Sequence, residues 1–223
     1  MCGIAGVITD DNKLKKIRIM TEALKHRGPD NIDYYIDEKF AYGHTRLSII
    51  DLKKNANQPM KSRCGRYVIV FNGEIYNFQE LKKTLEKKNY KFYTNSDTEV
   101  LLNSYIEWNV ECLNKLNGMF AFSIYDKKKK KVILARDRYG AKPIYISRVG
   151  RDICFASEIK SIARHPQFKS EINLNALSQY FTFQNIFNQE TLYKKIILIP
   201  PASYLIIDLE NQNKKFEFIV YWD

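Results

Sequence analysis

The sequence is poor in the residues that build disulfide frameworks and metal sites. Four of its 223 residues are cysteine (Cys2, Cys64, Cys112, Cys154) and three are histidine (His26, His44, His165). They are scattered and contain no Cys-x-x-Cys, so the pattern indicates neither a disulfide-stapled domain nor a zinc site. The expectation is no metal and a reducing, cytoplasmic compartment. No apolar run approaches the ~18 residues that a membrane span needs. The apolar stretch at 4–9 is too short for a signal-peptide core and runs straight into Asp10 and Asp11. There is no internal repeat, low-complexity tract or evident linker, and residues 1–223 read as one domain.

What the chain does have is positive charge: 36 Lys and Arg against 25 Asp and Glu, a net +11. Such a balance can mark a nucleic-acid partner. Here the lysines are spread out, and the densest run, 127–131, lies between two strand-like segments, where it reads as a solvated hairpin tip. Neither a nucleic-acid nor a membrane partner is expected.

Periodicity predicts a buried strand at 3–9 and an amphipathic helix at 13–26 with Leu14, Ile17, Met20 and Leu24 on one face. Gly28 and Pro29 are placed to end that helix. Strands follow at 33–36, 40–44 and 66–71. The last runs into Asn72-Gly73, ordinarily a hairpin turn, but a helical pattern at 78–88 comes next. Strand, Asn-Gly, helix can present a side-chain amide and a backbone N–H together, which is what an oxyanion hole requires. Ser96 with Glu99 fits a capping box opening a helix over 100–108. Asp97 in its first turn suits either the helix dipole or a substrate ammonium. Beyond 118 the pattern is β-rich: hairpins at 119–137 and 144–156, and a last pair at 204–208 and 216–220, with short helices at 157–164 and 174–181. Mixed helices and antiparallel strands make an α+β domain.

Two features carry chemistry. Cys2 directly follows Met1. Loss of the methionine would put a thiol and a free α-amine on one residue. Such an amine titrates near ~7.7–8.0 and can accept a proton at cellular pH, and an adjacent amine is one way to activate a nucleophile. Gly3 and Gly6 read as leaving room for a substrate near the thiol. The alternative is an inert buried cysteine. Arg46 stands inside the apolar stretch 44–51, and a half-buried guanidinium needs an anionic partner. That partner is either a structural carboxylate such as Asp51 or the carboxylate of a substrate.

Taken together, the motifs resemble the glutaminase domain of class II glutamine amidotransferases, of the N-terminal-nucleophile hydrolases, closest to the asparagine synthetase branch. The residues that carry the resemblance are Met-Cys-Gly-Ile-Ala-Gly at 1–6, His-Arg-Gly-Pro-Asp at 26–30, Gly-His-Thr-Arg-Leu-Ser-Ile-Ile-Asp at 43–51 and Phe-Asn-Gly-Glu-Ile-Tyr-Asn at 71–77. Further matches are Ser-Asp-Thr-Glu at 96–99, Leu-Asn-Gly-Met-Phe-Ala-Phe at 116–122, Ala-Arg-Asp-Arg-Tyr-Gly-Ala-Lys-Pro at 135–143 and Phe-Ala-Ser-Glu-Ile-Lys at 155–160. The resemblance implies a four-layer αββα sandwich of two antiparallel sheets. It implies Cys2 as nucleophile, Asn72 and Gly73 as oxyanion donors, and Arg46, Asp97 and Glu74 as the glutamine clamp, with Leu47, Ser48, Ile49 and Ile50 lining the pocket. No cofactor is expected in this domain. A C-terminal synthetase domain using ATP and Mg, and a homodimer, are implied as partners. The phosphate-loop signature of that domain, Ser-Gly-Gly-x-Asp-Ser, does not occur, so the chain reads as a glutaminase portion whose family continues past Tyr221-Trp222-Asp223. Ala141 and Ala202 depart from the family's usual residues, both outside the thiol pocket. A sugar- or polysaccharide-modifying amidotransferase and a non-catalytic glutamine sensor are the alternatives.

Overall fold

A computed structural model describes residues 1–223. Its strands are β1 (Gly3–Ile8), β2 (Asn31–Ile36), β3 (Phe40–Arg46), β4 (Met60–Lys61), β5 (Tyr67–Ile75), β6 (Gly118–Asp126), β7 (Lys131–Arg136), β8 (Tyr145–Val149), β9 (Asp152–Ala156), β10 (Ile196–Leu198), β11 (Ser203–Asp208) and β12 (Ile219–Val220). The helices are α1 (Lys13–Glu22), α2 (Phe78–Glu86), α3 (Asp97–Trp108), α4 (Cys112–Lys115), α5 (Ile159–Ala163) and α6 (Leu174–Phe183). The strands form two six-stranded sheets, ordered β10-β8-β9-β1-β3-β2 and β12-β11-β7-β6-β5-β4. Every pairing is antiparallel.

Side-chain alternation along the strands builds the layers. From β1, Ile4 and Ile8 face the second sheet and meet Val68, Val70, Val132 and Leu134 in the central core. The residues between them, Ala5 and Val7, face outward onto Ile17 and Met20 of α1 and Ile162 of α5. That is why β1 reads as a continuous apolar run rather than an alternating one. Across the sandwich, Leu81 and Leu85 of α2 and Val100 and Leu101 of α3 cover Ile69, Phe71 and Phe122. The order is therefore helix, sheet, sheet, helix, the αββα sandwich. No helix is long and apolar enough to cross a membrane.

The space between the sheets changes character along β3. Phe40 and Tyr42 lie in the apolar core, and the Tyr42 hydroxyl meets Ser123 Oγ at 2.6 Å. On the same face of β3, His44 Nε2 lies 3.3 Å from the Phe71 carbonyl. Arg46 ends the row. Burial pushes His44 down to about 3, so it is neutral and Nε2–H donates across the sheets. The polar end of this interlayer is where the candidate site residues gather.

Several local expectations are corrected. Helix α1 stops at Glu22, a separate 3-10 turn spans Lys25–Arg27, and Leu14 is exposed. The capping box is half made: Ser96 Oγ accepts from Glu99 N–H at 3.3 Å, while the Glu99 carboxylate turns to the N–H groups of Tyr93 and Thr94. Gly6 serves packing, because a Cβ there would sit 2.0 Å from the Phe155 ring. Most informative, Asn72-Gly73 is not a turn. Strand β5 runs straight through it, with Asn72 opposite Ala121 and Gly73 opposite Phe120. Glycine is required there because a Cβ would lie 2.2 Å from the Met119 carbonyl oxygen. The Asn-Gly signal thus marks close approach of two strands.

Candidate active site

A cleft of about 730 Å³, including its open mouth, lies where β1 begins and β3 ends. Its lining includes Cys2, Arg46, Leu47, Ile49, Ile50, Asn72, Gly73, Glu74 and Asp97. Of the candidate catalytic and glutamine-binding residues only Ser48 is absent from the wall. Its N–H turns away to donate to Asp30 Oδ2 at 2.7 Å. Gly3, which read as leaving room for a substrate, is instead required by packing, since a Cβ there would lie 2.6 Å from Thr45 Oγ1 and 2.8 Å from Leu24 Cβ. Nowhere do three or more His, Cys, Asp or Glu side chains gather as a metal-binding group.

The Cys2 sulfur receives the Leu47 N–H at 3.4 Å and lies 3.6 Å from the Leu47 carbonyl. Burial pushes its thiol above the usual range, against the pull of the Leu47 N–H and the Arg46 charge. A thiol held protonated needs a base, and no imidazole contacts it. His26 pairs with Glu158 at 2.9 Å, His44 bonds to Phe71, and His165 pairs with Asp152 at 3.0 Å.

Arg46 is 7 % exposed. Its Nη1 donates to the Lys53 carbonyl at 3.0 Å and to Asn57 Oδ1 at 2.5 Å, and its Nη2 donates to the Asp51 carbonyl. The ion pair with the Asp51 carboxylate, one reading of the sequence, is not made. That carboxylate instead accepts the N–H groups of Lys53 and Asn95 at 2.9 and 2.8 Å. The guanidinium is therefore oriented by neutral acceptors, and its charge is left unpaired in the cleft.

Opposite charge lines the same cleft. Asp97 is 5 % exposed and accepts the Ile75 N–H at 3.1 Å, with no cation in contact. Burial, reinforced by neighbouring Glu74, pushes its carboxyl up to about 6. Desolvation has outweighed the helix dipole. A buried unpaired cation facing two unpaired carboxylates is costly in an empty protein. It fits a dipolar ligand.

Two donors complete the cleft. With its amide oriented to satisfy both neighbours, Asn72 Nδ2 donates to the Cys2 carbonyl at 3.0 Å and Oδ1 accepts from Arg27 Nη2 at 3.3 Å. The second Nδ2 hydrogen is free. Along β5, the N–H groups of Phe71 and Ile75 both point away from β6, to Gln58 Oε1 at 2.6 Å and to Asp97. The Gly73 N–H stands between them in the same row and points to the same side, where the cleft lies.

Sequence reasoning gave no role to Arg27, Gln58 or Lys142. Arg27 Nε donates to the Cys2 carbonyl at 2.8 Å, and Nη1 reaches Glu158 at 2.8 Å. Gln58 joins Phe71 to Thr98 Oγ1 at 3.2 Å, fixing β5 against α3. Arg27 lay in the quoted 26–30 stretch and Lys142 in 135–143, but Gln58 had no local signal.

The architecture, two antiparallel sheets between helical layers, is shared with a solved amidotransferase. It superposes on glutamine phosphoribosylpyrophosphate amidotransferase from B. subtilis, solved with ADP and GMP, with a TM-score of 0.73 at 20 % identity, covering 99 % of this chain and 49 % of that one. More particularly, the chain belongs to the glutamine amidotransferase domain family, whose model matches residues 1–222. Among curated relatives, it is 41 % identical over 215 residues to asparagine synthetase [glutamine-hydrolyzing] 1 of Bacillus subtilis (strain 168), covering 93 % of this chain and 33 % of that protein. It is 37 % identical over 220 residues to the third such enzyme of that organism, covering 96 % of this chain and 36 % of the relative. It is 36 % identical over 245 residues to putative asparagine synthetase 2 of Methanocaldococcus jannaschii, covering 100 % of this chain and 47 % of the relative. The chain thus spans roughly a third to a half of the length of these relatives.

Proposed function

We propose that this domain hydrolyses glutamine to glutamate and ammonia through a thioester on Cys2. The observation that carries the reading is the charge layout of the cleft: an unpaired guanidinium and two unpaired carboxylates flank a thiol. An α-amino acid presents the complementary pair. Its carboxylate meets Arg46 and its ammonium meets Asp97 and Glu74, which directs the side chain toward Cys2. Removal of Met1 frees the Cys2 α-amine. The amine takes the thiol proton as the sulfur attacks the amide carbon, and the Asn72 amide and Gly73 N–H receive the charge on the amide oxygen. The C–N bond breaks, the amine returns the proton to the leaving ammonia, and water hydrolyses the thioester to glutamate. Residues 1–223 form the glutaminase portion in this reading. Like the relatives named above, a longer protein would pass the ammonia to a synthetase portion using ATP and Mg to make asparagine from aspartate.

The test is ammonia release from glutamine by protein whose mature N-terminus, checked by mass, is Cys2. Glutamine binding without release would instead favour a sensor. Arg46→Ala is expected to raise KM by tens of fold, the scale of hydrogen bonds to a charged group, with kcat little changed. A large loss of kcat at unchanged KM would show that Arg46 does not clamp the substrate.

A further inference from the structure

Lys142 is a lysine that the fold has no evident use for. It is 8 % exposed, yet its Nζ has no carboxylate partner; its polar contact is the Met1 thioether sulfur at 3.2 Å. A buried ammonium against so weak an acceptor costs stability. Its backbone, in contrast, is thoroughly fixed. The Lys142 N–H donates to Asp137 Oδ2 at 3.0 Å and its carbonyl accepts from Arg136 Nε at 2.9 Å. Asp137 also accepts the N–H groups of Phe120, Tyr139 and Ala141, and Arg136 also reaches the carbonyls of Ile199 and Gly140. Two buried charged side chains thus lock the loop that delivers Lys142 to the cleft lined by Met1 and Cys2.

We propose that Lys142 acts on the Cys2 α-amine as a like charge that favours its free-base form. The inference rests on the proposed hydrolysis, in which that amine is the base. An ammonium close to an amine disfavours the protonated state, so more of the amine can accept the thiol proton at neutral pH. The other charged groups around the amine do not supply this. Arg27, from the 3-10 turn, is paired with Glu158, which His26 and Lys160 share. Arg46 from β3 is opposed by Asp97 from α3 and Glu74 from β5. Once an amino acid is bound, its carboxylate offsets Arg46 and its ammonium offsets Asp97 and Glu74. Lys142 is then the cation left without an anion.

The experiment titrates the Cys2 α-amine directly by ¹⁵N NMR in trimmed protein, without substrate, alongside the pH profile of ammonia release. Lys142→Met is expected to raise the amine midpoint by about half a unit to one unit. The acid limb of kcat should move in the same direction, and Lys142→Arg should restore both. Lys142→Gln serves if the methionine variant does not fold. An amine midpoint unchanged in a folded neutral variant overturns the inference. Wild-type protein that releases no ammonia counts against the proposed function instead, and the NMR titration still decides the role of Lys142.

Discussion

Replacing Cys2 by alanine is expected to abolish ammonia release from glutamine, a loss of at least about 10⁴-fold set by the background of the assay, because a covalent intermediate cannot form. Adding one or two residues before Cys2 should do nearly as much damage while leaving the thiol in place. The extended chain keeps the sulfur and loses the free amine. Burial holds the thiol above its usual range, and no histidine touches it, so a blocked amine leaves the sulfur protonated without a base. The two variants separate the roles. Iodoacetamide should label Cys2 in the extended protein slowly and in the trimmed protein faster at neutral pH, and Cys2→Ala should not be labelled there. Full-rate glutamine hydrolysis by the extended form would remove the amine from the mechanism.

The candidate site was legible where one residue type permits few environments. Arg46 in an apolar strand had to meet an anion, and the structure leaves its charge unpaired. Cys2 next to the start allowed an N-terminal nucleophile. The α+β class followed from periodicity because most strands have one strongly apolar face. The layering did not follow from periodicity: Ile4 and Val7 are both apolar, and only the packed structure separates the face toward the second sheet from the face toward α1. Asn72-Gly73 shows why a local rule fails. Asn-Gly favours a tight turn when nothing lies beside it. Here β6 approaches so closely that glycine is demanded by contact with Met119, and the strand continues. Lys142 and Gln58 make their contacts across long sequence separations, which no local pattern encodes.

Asp97→Asn is expected to divide function from stability. The Asp97 carboxyl sits at about 6 in the empty cleft, above its ordinary 3.8, chiefly because burial penalises the charged form. The folded protein therefore holds this proton more tightly than the unfolded chain does. The contribution is stabilising below about pH 4 and is lost as pH rises through about 6. Above pH 6 the ionised, unpartnered carboxylate destabilises the empty protein by up to about 3 kcal/mol on the scale of ~1.4 kcal/mol per pH unit. Asparagine keeps the acceptor for the Ile75 N–H without the charge, so Asp97→Asn should raise the melting temperature of the ligand-free protein at pH 7.5 and change it little at pH 4. The same substitution removes the anion proposed to hold the glutamine ammonium, and truncating a buried charge pair costs about 2–5 kcal/mol. Glutamine KM should then rise by about 10²–10³-fold. In the wild type, KM should rise as pH falls below about 6, when Asp97 gains its proton, and the variant should lose that dependence. Bound glutamine would supply the missing cation, so wild-type melting should rise on glutamine addition at pH 7.5 and that of Asp97→Asn should not. A variant that is less stable than wild type at pH 7.5 yet binds glutamine normally would show that Asp97 is a structural carboxylate.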